Sequence, residues 1–348
     1  MKFTYRMSNY PTQRSMGRFR DEELGFEDDT QPHAAMIPWI DIHQHGHLGS
    51  WNDRHQIDIS NGYAVVMIAN HAHFSPYRPM QPTDVRHQWD SVIRRSHAIS
   101  RSHFFDAYVA IAMHMTRTRV ENPETVMSAM EEYVTLPEVL AVGETGIVLN
   151  TTQVDDPWTL EEQREVVSRH MAVARAADLP VICHTPSSMK STGSPYVRGK
   201  TEGGHDFPPV TETGFEGGLN PEAAKREATE IDIDIADSVG LAQDRVLIDH
   251  ATPETAEYVL DHSDCFVGFS IGQTIHDAEF LDVAEIVKTH GPDRIVLDTD
   301  FSGVAMNTPF GMKEAILELL RLGIAPETVR QVVYENPRSM LGLDSLPA

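Results

Sequence analysis

Two histidines one residue apart, His43 and His45, close the segment Trp39-Ile40-Asp41-Ile42-His43-Gln44-His45. In an extended strand, residues two apart point to the same face. Both imidazoles would leave one side of a strand end, with Asp41 one step below. Such a pair suits a single zinc, iron or nickel ion. Two solvated histidines at a strand end would read the same way. The meaning of His-x-His therefore depends on whether other stretches bring donors to the same place.

Candidate donors recur at the ends of other short apolar runs: Val142-Gly143-Glu144-Thr145-Gly146, Cys183-His184, Asp249-His250 and Leu297-Asp298-Thr299-Asp300. Each alone has a plain explanation, such as a histidine donating to a nearby carbonyl. Four histidines and two carboxylates at such ends are not explained by packing and point to a metal centre.

The elements that must position them follow from periodicity. Apolar runs fall at 39–45, 63–69, 106–113, 139–143, 180–184, 246–250, 265–271 and 294–300. Amphipathic stretches separate most of them, at about 83–102, 123–134, 159–178, 221–240, 252–262, 277–290 and 311–322. Thr252-Pro253-Glu254 and Asn122-Pro123-Glu124 read as helix starts, a cap followed by proline. Eight near-continuously apolar strands alternating with helices predict an α/β fold, a (β/α)8 TIM barrel. The first connection, 46–62, is weak and not expected to hold a long helix. Active sites of such barrels lie at the C-terminal strand ends, where the donors fall.

The barrel domain is expected over 39–343. Residues 1–38, with the run Asp21-Glu22-Glu23-Leu24-Gly25-Phe26-Glu27-Asp28-Asp29, read as an acidic, partly disordered N-terminal extension. The stretch 185–220 is rich in Gly, Ser, Thr and Pro and is expected to be a lid or substrate loop.

The chain has 348 residues, 52 Asp plus Glu against 28 Lys plus Arg, and a formal net charge of -24. Its lysines are only Lys2, Lys190, Lys200, Lys225, Lys288 and Lys313. An acidic, lysine-poor surface that keeps arginine suggests a halophile, since salt screens self-repulsion. It disfavours nucleic-acid binding at low salt but much less in molar salt. No apolar run of membrane-spanning length and no secretory h-region occur. Cys183 and Cys265 sit in strand-like runs, which indicates no disulfide framework and fits a cytoplasmic location.

These motifs resemble, in order, the TatD-like metal-dependent hydrolases of the amidohydrolase superfamily. The resemblance rests on His43-x-His45, Gly143-Glu144-x-Gly146, His184, His250 and Asp298-Thr299-Asp300, with Glu335-Asn336-Pro337-Arg338 similar to the family's closing segment. It implies two divalent metal ions, zinc foremost, with manganese, magnesium, iron or nickel admitted by the donor types. His43, His45 and Asp300 would hold one, His184 and His250 the other, and Glu144 would bridge them. A hydroxide trapped between cations about 3.5–4 Å apart is a nucleophile at neutral pH. Asp300, nearest the strand end, is the expected base, while Asp298 supports or lines the core. Other superfamily members bridge with a carboxylated lysine on strand four. No lysine lies between Lys2 and Lys190, which leaves Glu144.

The chain departs from the family at Thr185-Pro186 and at Ala251-Thr252-Pro253-Glu254, positions expected to touch substrate. His71, His73, His114 and His205 are candidate substrate contacts, and Arg78, Arg117, Arg119 and Arg198 candidate rim cations. His47 is expected to stay free of metal. Cys183 should face the helices, opposite His184. The function expected is cleavage of a phosphodiester, DNase-like, in a small-molecule or nucleic-acid substrate. Hydrolysis of a carboxylic ester, lactone or amide on the same site is the alternative, and a non-catalytic metal-binding barrel the competing class.

Overall fold

The aliphatic runs become strands in the computed structural model, which describes residues 34–45, 48–69, 81–113, 120–149, 158–186, 221–271, 278–301 and 310–343. Among these residues, eight parallel strands lie in sequence order: β1 (Trp39–Gln44), β2 (Gly62–Ala69), β3 (Asp106–Ile111), β4 (Val139–Thr145), β5 (Val181–His184), β6 (Val246–Asp249), β7 (Phe266–Ser270) and β8 (Ile295–Asp298). Helices fill the connections: α1 (Trp51–Ile59), α2 (Pro82–Ser102), α3 (Pro123–Tyr133), α4 (Leu160–Ala177), α5 (Pro221–Val239), α6 (Pro253–His262), α7 (Phe280–His290) and α8 (Gly311–Arg321). This is the (β/α)8 barrel, nearly closed. The strands are apolar on both faces because helices cover the outside and side chains fill the inside.

Helix α1 is short, nine residues, in line with the weak first connection. Its sequence is mostly polar, with Trp51 and Ile59 exposed and Ile57 buried, so no apolar stripe announces it. Its start is capped by Ser50, whose hydroxyl accepts from Asp53 N at 3.1 Å.

Main-chain ladders join every consecutive pair from β1 to β8. The last edge differs. Among the described residues, β8 and β1 meet through one isolated bridge, Gln44 with Phe301. Side chains supplement it. Asp41 Oδ1 accepts from Thr299 N at 3.1 Å and Oδ2 from Thr299 Oγ1 at 2.5 Å. Gln44 Nε2 donates to the same carboxylate at 2.6 Å. Burial pushes the Asp41 carboxyl up to about 6, against these donors.

The C-terminal helices α9 (Pro326–Arg330) and α10 (Asn336–Met340) close the opposite end of this edge. Asn336 Nδ2 donates to the carbonyls of Pro292 and Ile295, both at 2.7 Å, at the entry to β8. Arg294 there donates to the carbonyls of Leu260, Ser263 and Cys265, a structural role as its position predicts. Residues 34–36 are helical, with Ala34 buried and its carbonyl accepting from Lys313 Nζ. Residues 1–33, and with them the acidic run, lie outside the described residues.

Candidate metal centre

The C-terminal strand ends bring six distant side chains together. From β1, His43 Nε2 and His45 Nε2 stand 3.0 Å apart. Glu144, on β4, turns its two oxygens to different partners. Oε2 is 3.2 Å from His45 Nε2 and 3.7 Å from His43 Nε2. Oε1 is 3.1 Å from His250 Nε2 and also meets His184 Nδ1. Asp300 Oδ1 lies 3.5 Å from His45 Nε2 and 3.7 Å from His43 Nε2. All six residues anticipated as ligands are therefore in one cluster. His43, His45 and Glu144 form one potential metal-holding triplet, and Glu144, His184 and His250 another.

The donor set fits a cation. Ligands bonded to zinc at about 2.0–2.1 Å in a tetrahedron lie ~3.3–3.4 Å from one another. The separations of 3.0 to 3.7 Å around His43, His45, Glu144 and Asp300 bracket that edge. Glu144 is almost fully buried, whereas the Asp300 side chain is 30 % exposed. Asp300 thus faces the mouth and Glu144 the floor.

Local backbone explains why these residues point inward. His250 and Asp300 have φ of 58° and 43°, in the left-handed region that non-glycine residues seldom adopt. The left-handed turn at His250 breaks strand alternation, so Asp249 and His250 both face the centre. The strands consequently stop earlier than predicted, at Asp249 and Asp298 rather than 250 and 300. After Glu144, Gly146 has φ 123°, and a Cβ there would lie 2.5 Å from the His184 carbonyl oxygen. The following backbone is pinned from two helices. Asp232 of α5 accepts from Ile147 N at 3.1 Å, and Gln163 of α4 accepts from Val148 N at 2.8 Å. Burial pushes the Asp232 carboxyl up to about 8.

Buried His170 of α4 accepts from Met113 N through Nε2 at 3.1 Å. Its Nδ1 therefore carries the proton and donates to Thr145 Oγ1 at 3.1 Å, next to Glu144.

Behind the donors lie residues outside the six expected ligands. Asp249 Oδ2 is 2.6 Å from His43 Nδ1. Ser270 Oγ is 2.7 Å from His250 Nδ1. Lys225, fully buried on α5, donates to Thr185 Oγ1 at 2.9 Å and to the His250 carbonyl. Strand alternation would have sent Asp249 outward, and nothing in sequence ties Lys225 to strands 40 and 25 residues away.

Burial acts to lower the His43 pKa, but the charges of Glu144 and Asp300 and the bond to Asp249 raise it well above the ordinary value. His250 is likewise raised, by Asp249 and Glu144 against burial. Burial would raise Asp249, yet His250 and His43 hold it far below the usual carboxylate range. Asp298 goes the other way, pushed up by burial and by the Asp249 charge.

Two expectations change. Thr185 and Thr252 are fully buried rather than placed to touch substrate. Thr185 Oγ1 donates to the Asp249 carbonyl at 2.6 Å, and Thr252 caps α6 by accepting from Thr255 N at 3.1 Å. These departures from the family pattern brace the site from behind. Cys183 is buried, as its outward register predicts. His71, His73, His114 and His205 lie outside the described residues, as do His47, Arg78, Arg117, Arg119, Arg198 and the loop from 187 to 220.

Comparison with known proteins agrees with this architecture. The family described as TatD related DNase matches residues 40–204. An uncharacterized metal-dependent hydrolase of Methanocaldococcus jannaschii is 21% identical over 304 residues, covering 87% of this chain and 100% of that one. A TatD-like protein from Archaeoglobus fulgidus superposes with a TM-score of 0.56 at 20% identity, over 87% of this chain and 100% of its own. A TatD homolog from Escherichia coli K12 gives 0.56 at 14% identity, over 89% and 99%. Matched sequence, barrel and donor cluster together support a metal-dependent hydrolase. Over residues 40–204 the chain is similar to the family described as TatD related DNase. Among the described residues no helix is long and apolar enough to cross a membrane.

Proposed function

We propose that this enzyme is a binuclear hydrolase of phosphodiesters, with zinc the first candidate metal. In this reading His43, His45 and Asp300 would hold one cation and His184 and His250 the other, with Glu144 shared by both sets. The observation that carries it is the division of the Glu144 carboxylate, Oε2 toward His45 and Oε1 toward His250. When bound, paired divalent cations acidify a water and polarise the bond it attacks. Asp300, partly exposed at the mouth, is placed to take the proton of the attacking water and return it to the leaving group. Buried Glu144 keeps its position through the Thr145 hydroxyl, held by His170, and the backbone anchors at Ile147 and Val148.

The match to TatD related DNase supports a phosphodiester substrate. The net charge of -24 favours a second reading, a smaller ester, lactone or amide, because it repels polyanions at low salt. A high-salt, halophilic setting would remove that objection by screening. The acidic, lysine-poor composition supports such a setting, and the two free, buried cysteines support the cytoplasm. An unfolding temperature that climbs as KCl is raised toward molar levels is the expected sign of salt adaptation.

The reading is tested by assaying phosphodiesters, aminoacyl esters and lactones with the wild type and Asp300→Asn. Asp300→Asn should lose roughly 10²–10⁴-fold in turnover while retaining most of its metal. Unchanged turnover would refute Asp300 as the base.

A further inference from the structure

We infer that Asp249 is a positioning residue that fastens the two halves of the centre to each other. The inference rests on the metal reading above and adds a residue outside its ligand set. One carboxylate reaches both halves. Asp249 Oδ2 accepts from His43 Nδ1 at 2.6 Å. Asp249 Oδ1 accepts from His250 N at 2.7 Å and from Ser270 Oγ at 3.5 Å. Ser270 Oγ in turn meets His250 Nδ1 at 2.7 Å.

A carboxylate can only accept, so His43 keeps its proton on Nδ1. Its Nε2 lone pair is then directed at His45, Glu144 and Asp300. The same logic runs through the serine. His250 Nδ1–H donates to Ser270 Oγ, and the hydroxyl donates onward to Asp249 Oδ1. That leaves His250 Nε2 free to face Glu144 Oε1, 3.1 Å away.

His43, Asp249 and His250 also lie close enough together to be considered as a metal triplet. The 2.6 Å contact argues against direct ligation by Asp249. Its length alone does not decide this, since His184 meets Glu144 at a still shorter separation; its place on the ring does. The contact falls on Nδ1, the side of the ring turned away from Glu144.

The surroundings are shaped for this side chain. A Cβ on Gly268 of β7 would lie 2.3 Å from Asp249 Oδ1 and 2.9 Å from its Cγ. Only glycine leaves room there. From behind, Thr185 Oγ1 donates to the Asp249 carbonyl at 2.6 Å, and Lys225 Nζ holds Thr185 at 2.9 Å.

The test is a cobalt(II) titration of the full-length chain, followed by visible absorption and by elemental analysis after desalting. The wild type should take two cobalt ions per chain. Asp249→Asn should weaken both ions, about 10–100-fold each, and shift the ligand-field bands of both. Ser270→Ala, which cuts only the arm to His250, should weaken one ion and spare the other. A structural role for Asp249 alone would lower thermal stability without moving the bands. If Asp249→Asn fails to fold, the Ser270→Ala titration carries the test by itself. Wild-type affinity and spectrum in Ser270→Ala, or in a folded Asp249→Asn, would overturn the inference while the wild-type stoichiometry left the metal reading standing. A wild type that takes up no cobalt would overturn both.

Discussion

His184 ends β5 and His250 directly follows β6, two strands joined by an unbroken ladder with His184 paired in register to Asp249. His43 and His45 face Asp300 across the one edge of the barrel where β8 and β1 share a single bridge. One half of the centre is therefore positioned by main-chain hydrogen bonds. The other is positioned by side chains: the Asp41 carboxylate on Thr299, and Asp249 behind His43. A cation shared by His43, His45 and Asp300 would add a third fastening across the same edge. The barrel thus places its most exposed donor, Asp300, where the sheet is least continuous.

Glu144 belongs to both halves, so its removal should have the largest effect. Glu144→Ala is expected to leave fewer than one tightly held ion per chain and to reduce turnover on the order of 10³-fold or more. Elemental analysis beside a rate measurement reads both. Retention of two ions would break the symmetry between the halves that the carboxylate is taken to enforce.

The edge itself comes next. Thr299→Val removes the 2.5 Å bond to Asp41 and should cost roughly 2 kcal/mol in chemical denaturation. Chelation of the metal should speed amide hydrogen exchange in β1 and β8 more than in β5 and β6, because only the first pair lacks a continuous ladder. Equal acceleration in both pairs would remove the distinction.

The smallest effect is on pH dependence. His43 and His250 both have raised pKa values, so the metal-free protein holds protons there more tightly than free imidazoles do. Metal must displace them, so affinity should rise with pH, with protons released on binding. Calorimetry in buffers of different ionisation enthalpy measures that release. The sign for folding is opposite. A folded pKa above the unfolded value of about 6.5 stabilises the metal-free fold below that pH, and the gain is lost as pH rises through the raised values. The loaded protein should instead become more stable with pH over this range.

Much of this was legible in sequence because it depends on periodicity and on what ends each run. The eight strands, and the convergence of His43, His45, Glu144, His184, His250 and Asp300, follow from alternating patterns and one rule about barrel ends. Helix α1 was not legible, since its buried face is little more than Ile57 and Asp58. Asp249 was hidden because its inward direction depends on the left-handed turn at His250, which no residue type there announces. The bracing roles of Thr185, Thr252 and Lys225 were hidden because they are set by packing between α5 and two strand ends. The sequence marks Thr185 and Thr252 as unusual for the family without saying that they are buried.

The central claim is that one carboxylate spans two cations. X-ray absorption on the zinc-loaded protein, with elemental analysis of the same sample, tests it most directly. The account predicts two zinc ions per chain and a metal–metal scattering path of about 3.5–4 Å that disappears in Glu144→Ala. A single ion per chain, or two ions with no such path, would contradict it.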